Sequence, residues 1–127
     1  MDIDRVYNWR DRKRQGLYLV DRLWPRGVKK VSLDLAGWLK ELTPSSDLRR
    51  EFHNGLDFSA FREQYVAELE ERKAAGELDD ALTELRDYQE WAAEEDAPEL
   101  LLLYAAKEKE HNHAVVLRDW LAAQLEG

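Results

Sequence analysis

The apolar run over residues 100–105 constrains the fold of this chain more than any other feature. Its six residues, Leu-Leu-Leu-Leu-Tyr-Ala, come shortly after Pro98 and carry no charge. Leucine favours helices over strands, but so short a segment without a polar face is typical of a strand buried on both sides. We therefore predict a central strand of a parallel sheet, which other elements must cover on both faces.

Two further apolar segments predict neighbouring strands. Residues 17–21 suit a short buried strand, and residues 3–7 suit a weaker one that could pair with 17–21 in either direction. Helices are expected elsewhere, where apolar residues recur at helical spacing and a capping residue or a proline marks an end. Their predicted ranges are 33–42 after Ser32, from Ser45 or Ser46 through Phe52, 58–74, 79–95 and 113–125.

This alternation predicts an α/β fold: a small, mostly parallel three-layer sheet flanked by about five helices. With 127 residues, the chain fits a single domain over 1–127. No run approaches the roughly 18 apolar residues of a membrane span. The acidic start also lacks the apolar core of a signal peptide, so we expect a cytoplasmic protein.

Composition excludes several kinds of chemistry. The chain has no cysteine, which removes thiol nucleophiles, CxxC redox motifs, disulfides and Cys-ligated zinc. His111 and His113 lie two residues apart, but no third ligand follows at a suitable spacing. We therefore predict no metal site and no cofactor.

Charge is divided unevenly along the chain. The net charge is −8, yet residues 1–30 hold nine Lys and Arg against four Asp and Glu, whereas residues 31–127 hold ten against twenty-three. The overall charge argues against general binding to nucleic acid. The basic first quarter suits an acidic partner.

The segment after the strand over 17–21 is the first candidate site, because ligands of open α/β sheets bind beyond the carboxyl ends of strands. Arg22 and Arg26 offer planar donors suited to phosphate or carboxylate, Trp24 offers a ring for stacking, and Asp21 is an acid/base candidate. The alternative is structural: Arg22 pairs with a carboxylate and Trp24 belongs to the core.

A second candidate site follows the strand over 100–105. Lys107 comes directly after that strand, and Asn112 and His113 open the last helix, where free backbone amides attract anions. Asn112 is equally well explained as the helix cap. His113 is an acid/base candidate because histidine titrates near neutrality.

The third candidate lies at the short helix after Pro44. Ser45, Ser46 and Arg49 at the start of this helix suit a phosphate group, although capping alone also explains the serines. His53, at its other end, is a further acid/base candidate.

Sequence blocks that contain these residues occur in one order along nearly the whole chain. They cover residues 5–7 (RVY), 19–27 (LVDRLWPRG), 38–42 (WLKEL), 44–49 (PSSDLR), 61–69 (FREQYVAEL), 102–107 (LLYAAK) and 111–117 (HNHAVVL). In this combination the chain resembles the YeaO-like branch of the DUF488 family. The resemblance implies a small cytoplasmic α/β protein with polar residues at both strand ends, and it brings no established activity.

One difference limits what the resemblance implies. Larger DUF488 proteins carry a Cys-His-Arg element near the last helix, where this chain has Asn112-His113-Ala114. Chemistry that depends on that cysteine is therefore not expected here.

Two hypotheses about function remain. In the first, the candidate residues line a pocket for a phosphorylated or otherwise anionic, nucleotide-like small molecule, with or without an enzymatic step. In the second, the protein is a non-catalytic interaction or regulatory module whose basic first quarter contacts an acidic partner. Convergence of Arg22, Arg26 and Arg49 in one concave site would favour the first hypothesis.

Overall fold

A computed structural model describes residues 1–126 and shows four parallel strands in one sheet. The strands are β1 (Asp2–Arg5), β2 (Leu17–Leu19), β3 (Gly37–Trp38) and β4 (Leu101–Tyr104), in the spatial order β1-β4-β2-β3. The apolar run over 100–105 thus supplies an inner strand, as predicted. β1 and β2 do not pair with each other, because β4 lies between them and pairs in parallel with both.

Four α-helices occur among residues 1–126, one fewer than the sequence analysis predicted. They are α1 (Ser46–His53), α2 (Phe58–Ala74), α3 (Asp79–Glu95) and α4 (His113–Leu125). The side chains of Ser45, Asp57 and Asn112 cap α1, α2 and α4, each accepting a hydrogen bond from a backbone amide of the first turn. Within the described range, none of the helices has the length and apolar character needed to cross a bilayer.

The prediction of a helix over residues 33–42 is wrong. This segment runs beside β2 as β3, where the amide of Ala36 donates to the carbonyl of Leu17 (2.7 Å) and the amide of Leu39 to that of Leu19 (2.9 Å). The apparent apolar stripe is divided between the two faces of the sheet: Leu35 and Trp38 pack on one face, whereas Leu39 packs on the other. These apolar residues have the spacing of a helix, but they do not form one surface, and pairing with β2 makes the segment a strand.

The two faces of the sheet are covered by different material. Tyr18, Leu102 and Tyr104 point to the face where all four helices pack. Leu19 and Leu103 point to the other face, which is covered by residues 6–9, 24 and 28–35, mostly 3₁₀ turns and loops. The third layer expected from the sequence is thus not helical. Side chains of both inner strands are nonetheless buried on both faces.

Candidate functional site

A cleft of about 820 Å³ lies at the carboxyl ends of β2 and β4. Its walls come from the segment after β2, the segment from β4 to the first residue of α4, Pro44 with helix α1, and Tyr7, which follows β1. Because the strands are parallel, their carboxyl ends meet at one edge of the sheet, where ligands of α/β proteins usually bind. The volume is within the range of small-molecule sites, about 300–1,000 Å³.

Most residues predicted for a site line this one cleft. They are Asp21, Arg22, Trp24, Arg26, Arg49, His53, Lys107, Asn112 and His113. Ser45 and Ser46 are not among the lining residues. All three histidines of the chain line the cleft, because His111 joins His53 and His113 there.

Four cations surround the cleft without a carboxylate partner. Arg22, Arg26, Arg49 and Lys107 come from three separate segments, and all four are exposed. Among residues 1–126, none of them forms an ion pair within 4.0 Å. In a chain with a net charge of −8, four neighbouring cations without partners form a local positive field.

Asp21 joins the ends of three strands. Its Oδ2 accepts a hydrogen bond from the amide of Ala105 (2.9 Å), just after β4. Its backbone carbonyl accepts one from Trp38 Nε1 (2.6 Å) in β3. With 14% of its side chain exposed, this predicted acid/base residue also fixes the geometry of the sheet edge.

His113 brings α4 against the same point. Its Nε2 lies 2.9 Å from Asp21 Oδ1 and 2.9 Å from the carbonyl oxygen of Val20. One ring nitrogen carries at most one proton, so it cannot give both oxygens a well-aligned hydrogen bond. The proton is better directed at Val20, and Asp21 Oδ1 is buried without a hydrogen-bond donor of its own among the described residues. The contact between Asp21 Oδ1 and His113 Nε2 is therefore a close approach without an aligned hydrogen bond.

The segment before α4 is held by its own polar groups. Asn112, 2% exposed, accepts from the amide of Val115 (3.0 Å) and donates to the carbonyl of Glu108 (2.7 Å). The amides of Glu110 and His111 donate to the Glu108 carboxylate, and these two hydrogen bonds lower its pKa. Asn112 therefore acts as the cap that the sequence offered as an alternative, while it also lines the cleft.

Trp24 is more a structural residue than a free stacking platform. Its Nε1 donates to the carbonyl of Val28 (2.6 Å) and its ring meets Trp38 edge to face, with centroids 5.4 Å apart. These contacts close the loop over residues 24–28 and place Arg26 at the cleft.

Ser45 serves the fold rather than the cleft, and Ser46 is exposed outside the cleft lining. Ser45 Oγ accepts from the amide of Leu48 (3.1 Å) and donates to Glu68 Oε2 (2.6 Å) on α2. Glu68 also pairs with Arg72 at 3.3 Å. Glu68, which accepts the hydrogen bond from Ser45, lies 23 residues away in sequence, so only the structure identifies this role of the serine.

Two residues that the sequence analysis did not select support the cleft. Arg5 donates to the carbonyls of Ala106 (3.1 Å) and Ala105 (3.3 Å) and lies over the ring of Tyr7, 5.0 Å from its centroid. The Tyr7 hydroxyl donates to the carbonyl of Arg26 (3.2 Å). Together they connect the segment after β2 with the segment after β4, which are two of the three segments that carry the cations. Arg5 and Tyr7 both belong to the sequence block over residues 5–7, but their role depends on β1 lying beside β4.

Metal ligation finds no support in this geometry. Among residues 1–126, no group of three or more His, Asp or Glu side chains is arranged to hold a metal ion. The lining of the cleft combines four cations and three imidazoles with the carboxylates of Asp21 and Glu108 and with apolar surface.

Comparisons with known proteins agree with the resemblance seen in the sequence. The profile of a family described as "Inactive DUF488-N3 subclade" matches residues 1–127. The uncharacterised protein YeaO of Escherichia coli is 44% identical over 118 residues, which cover 92% of each chain. Uncharacterised proteins of Mycobacterium bovis and Mycobacterium tuberculosis are 35% identical over 77 residues, or 60% of this chain and 65% of theirs. No solved structure gives a significant match.

Proposed function

We propose that this chain, which belongs to the Inactive DUF488-N3 subclade, binds a phosphorylated small molecule of nucleotide-like size in the cleft without converting it. The observation that carries the proposal is the set of four unpaired cations around one concave site. Arginine binds phosphate through two parallel hydrogen bonds, and three of the four cations are arginines. An anion placed there gains partners that the protein itself leaves unused.

The rest of the lining suits a ligand with an apolar or planar body. Pro25, Pro44 and Phe52 line the cleft, as do Ala105 and Ala106. Inorganic phosphate makes no use of such carbon surface, whereas burial of a ring or alkyl group against it contributes about 25 cal/mol per Å². A phosphate ester of a planar or apolar group uses both kinds of lining.

Three observations favour binding without turnover. No Ser, Thr or Cys lines the cleft within the described residues, so an aliphatic hydroxyl or thiol nucleophile is absent from its walls, and the Tyr7 hydroxyl donates to the carbonyl of Arg26. Asp21 and His113 are engaged by backbone groups and by each other. The family description itself contains the word inactive.

Isothermal titration calorimetry with AMP, ADP, ribose 5-phosphate and inorganic phosphate tests the proposal. Arg49 and Arg50 give a matched pair, because both are exposed on α1 but only Arg49 lines the cleft. Loss of one charge-assisted hydrogen bond costs about 1.5–3 kcal/mol. Arg49→Ala should therefore weaken binding of a phosphate ester about tenfold or more, and Arg50→Ala should leave it within twofold.

Each outcome decides one part of the proposal. Failure of all four probes to bind, or equal effects of the two alanine variants, would contradict the phosphate-binding site. Tighter binding of inorganic phosphate than of the nucleotides would contradict the proposal that the ligand has an apolar or planar body. Appearance of a product in ³¹P NMR spectra of the bound ester, lost with His113→Ala, would contradict the absence of turnover.

A further inference from the structure

The face of the sheet opposite the helices is covered by a strongly basic surface. We call residues 6–14 and 22–34 the basic layer, because they pack over Leu19 and Leu103 on that face or adjoin the segments that do. They hold eight Lys and Arg against two Asp: Arg10, Arg12, Lys13, Arg14, Arg22, Arg26, Lys29 and Lys30 against Asp11 and Asp34. On the other face, α3 alone holds seven Asp and Glu against one Arg. The molecule is therefore polarised across its sheet.

The two parts of the basic layer are contiguous in space. The amide of Asp11 donates to the carbonyl of Ser32 (2.8 Å), and Arg12 forms an isolated parallel bridge with Leu33. The amide of Arg14 donates to Asp34 Oδ2 (3.1 Å). These contacts place residues 11–14 beside residues 32–34, which follow Lys29 and Lys30 closely in the chain.

Exposed aliphatic side chains interrupt these cations. Val31 is 92% exposed and follows Lys29 and Lys30, and Leu23 is 61% exposed between Arg22 and Trp24. Val31 lies outside the cleft, so a ligand in the cleft does not cover it. An aliphatic group beside cations is complementary to a surface that presents both carboxylates and apolar side chains.

The aromatic rings of the basic layer are already engaged. Arg12 and Arg14 lie over the Trp9 ring, 4.5 and 5.4 Å from its centroid, and Trp9 Nε1 donates to Asp4 (2.9 Å). Tyr7 likewise lies under guanidinium groups of Arg5 and Arg10. Proteins that bind single-stranded nucleic acid stack bases on free aromatic faces, and this surface does not present them.

We infer that the basic layer is a docking surface for an acidic protein segment that also carries aliphatic side chains. Its cations pair with the carboxylates of that segment, and Val31 contacts an aliphatic group. Arg22 and Arg26 of the basic layer also line the cleft, but Lys29, Lys30 and Val31 do not, so these three residues test the docking surface separately from ligand binding.

Fluorescence anisotropy with three labelled probes tests the inference. The probes are a peptide of alternating Glu and Leu, polyglutamate of equal charge, and a single-stranded oligonucleotide of equal charge. Lys29→Glu with Lys30→Glu should weaken binding of the Glu-Leu peptide at least tenfold. Val31→Ser should weaken it about threefold and leave polyglutamate binding unchanged. These side chains are exposed, so circular dichroism should show that each variant remains folded.

A matched control separates the basic layer from overall charge. Arg50→Glu with Lys73→Glu changes the net charge equally on the helical face and should alter peptide binding less than twofold. Equal loss in this control, no effect of Val31→Ser, or no peptide binding at low salt would overturn the inference. So would tighter binding to the oligonucleotide or to phosphatidylglycerol vesicles than to the Glu-Leu peptide.

Discussion

The Asp21 carboxylate and the His113 imidazole lie 2.9 Å apart at the point where β2 ends and α4 begins. Both side chains are mostly buried, and each also contacts backbone of a different strand end: Asp21 accepts from Ala105 and His113 contacts Val20. The pair therefore connects the central strands with the last helix. Its geometry determines the shape of the cleft whether or not a proton ever moves through it.

Removal of the Asp21 carboxylate should destabilise the protein. Asp21→Ala leaves the amide of Ala105 without its acceptor in a mostly buried place and removes the carboxylate that lies beside the His113 imidazole. An unsatisfied buried group costs about 1–3 kcal/mol, and the free energy of unfolding in urea should fall by that amount. Asp47→Ala is the control, because its side chain is 89% exposed and surface changes usually stay within about 0.5 kcal/mol. Equal stability of the two variants would show that Asp21 has no anchoring role.

The sequence predicts much of this architecture because its signals are local. In α2 and α4 the apolar residues form one surface and a local side chain caps the first turn. The predicted ranges of these two helices therefore agree with the structure. The segment over 33–42 misled because Leu35 and Leu39 match helical spacing while they serve opposite faces of the sheet. No local pattern distinguishes these two arrangements, since the pairing with β2 decides between them.

Some residues of the candidate site could likewise be predicted from the sequence, whereas others could not. Asp21 and Lys107 were predictable because the carboxyl ends of neighbouring parallel strands share one edge. Arg5 was not, because its role depends on β1 lying next to β4. Ser45 carries a local signal that fits a cap and a phosphate site equally well, and its long-range partner Glu68 determines the outcome.

Arg5 should influence ligand affinity although it does not line the cleft. Arg5→Ala removes the donors to the carbonyls of Ala105 and Ala106 and so loosens the segment that carries Lys107. We expect several-fold weaker binding of a phosphate ester when its affinity is measured by calorimetry, together with faster amide hydrogen exchange over residues 105–107. Arg118→Ala serves as the control, because Arg118 lies on α4 and does not line the cleft. Unchanged exchange over residues 105–107 in Arg5→Ala would contradict the positioning role.

Asp4 should give the protein an acid-sensitive contribution to stability. Burial alone would raise the pKa of its carboxyl, but hydrogen bonds from Trp9, Asn8 and the Arg5 amide outweigh it and hold the pKa below 3.8. A depressed folded-state pKa means stability that is present above the unfolded value and is lost as the pH falls through the folded value. Chemical denaturation of the wild type should therefore show a decline in stability below about pH 4.

The Asp4→Asn variant isolates this contribution. Its unfolding free energy at pH 7 should be lower than that of the wild type, and the difference should shrink as the pH falls below 3.8. Asp11→Asn, whose side chain makes no hydrogen bond among the described residues, is the matched control within the same part of the chain. A difference between Asp4→Asn and wild type that stays constant from pH 7 to pH 3 would exclude the carboxylate as its origin.

A side chain at position 16 should destabilise the protein, for two separable reasons. Its φ is +78°, and an added Cβ would lie 2.8 Å from Tyr88 Cε1 and still closer to the hydroxyl. Its carbonyl accepts from the amide of Leu101 (2.9 Å), which fixes the backbone against β4. Backbone strain and overpacking each cost about 1–3 kcal/mol. Gly16→Ala should therefore lower the free energy of unfolding by about 2–4 kcal/mol.

Gly27→Ala separates the two causes, because Gly27 has a similar φ of +74° but open space where its Cβ would lie. This variant should lose only the strain, about 1 kcal/mol. The combination of Gly16→Ala with Tyr88→Ala should show a favourable coupling energy in a double-mutant cycle, because the second change removes the clash. Additive effects in that cycle, or equal losses at the two glycines, would mean that Tyr88 does not limit the space at Gly16.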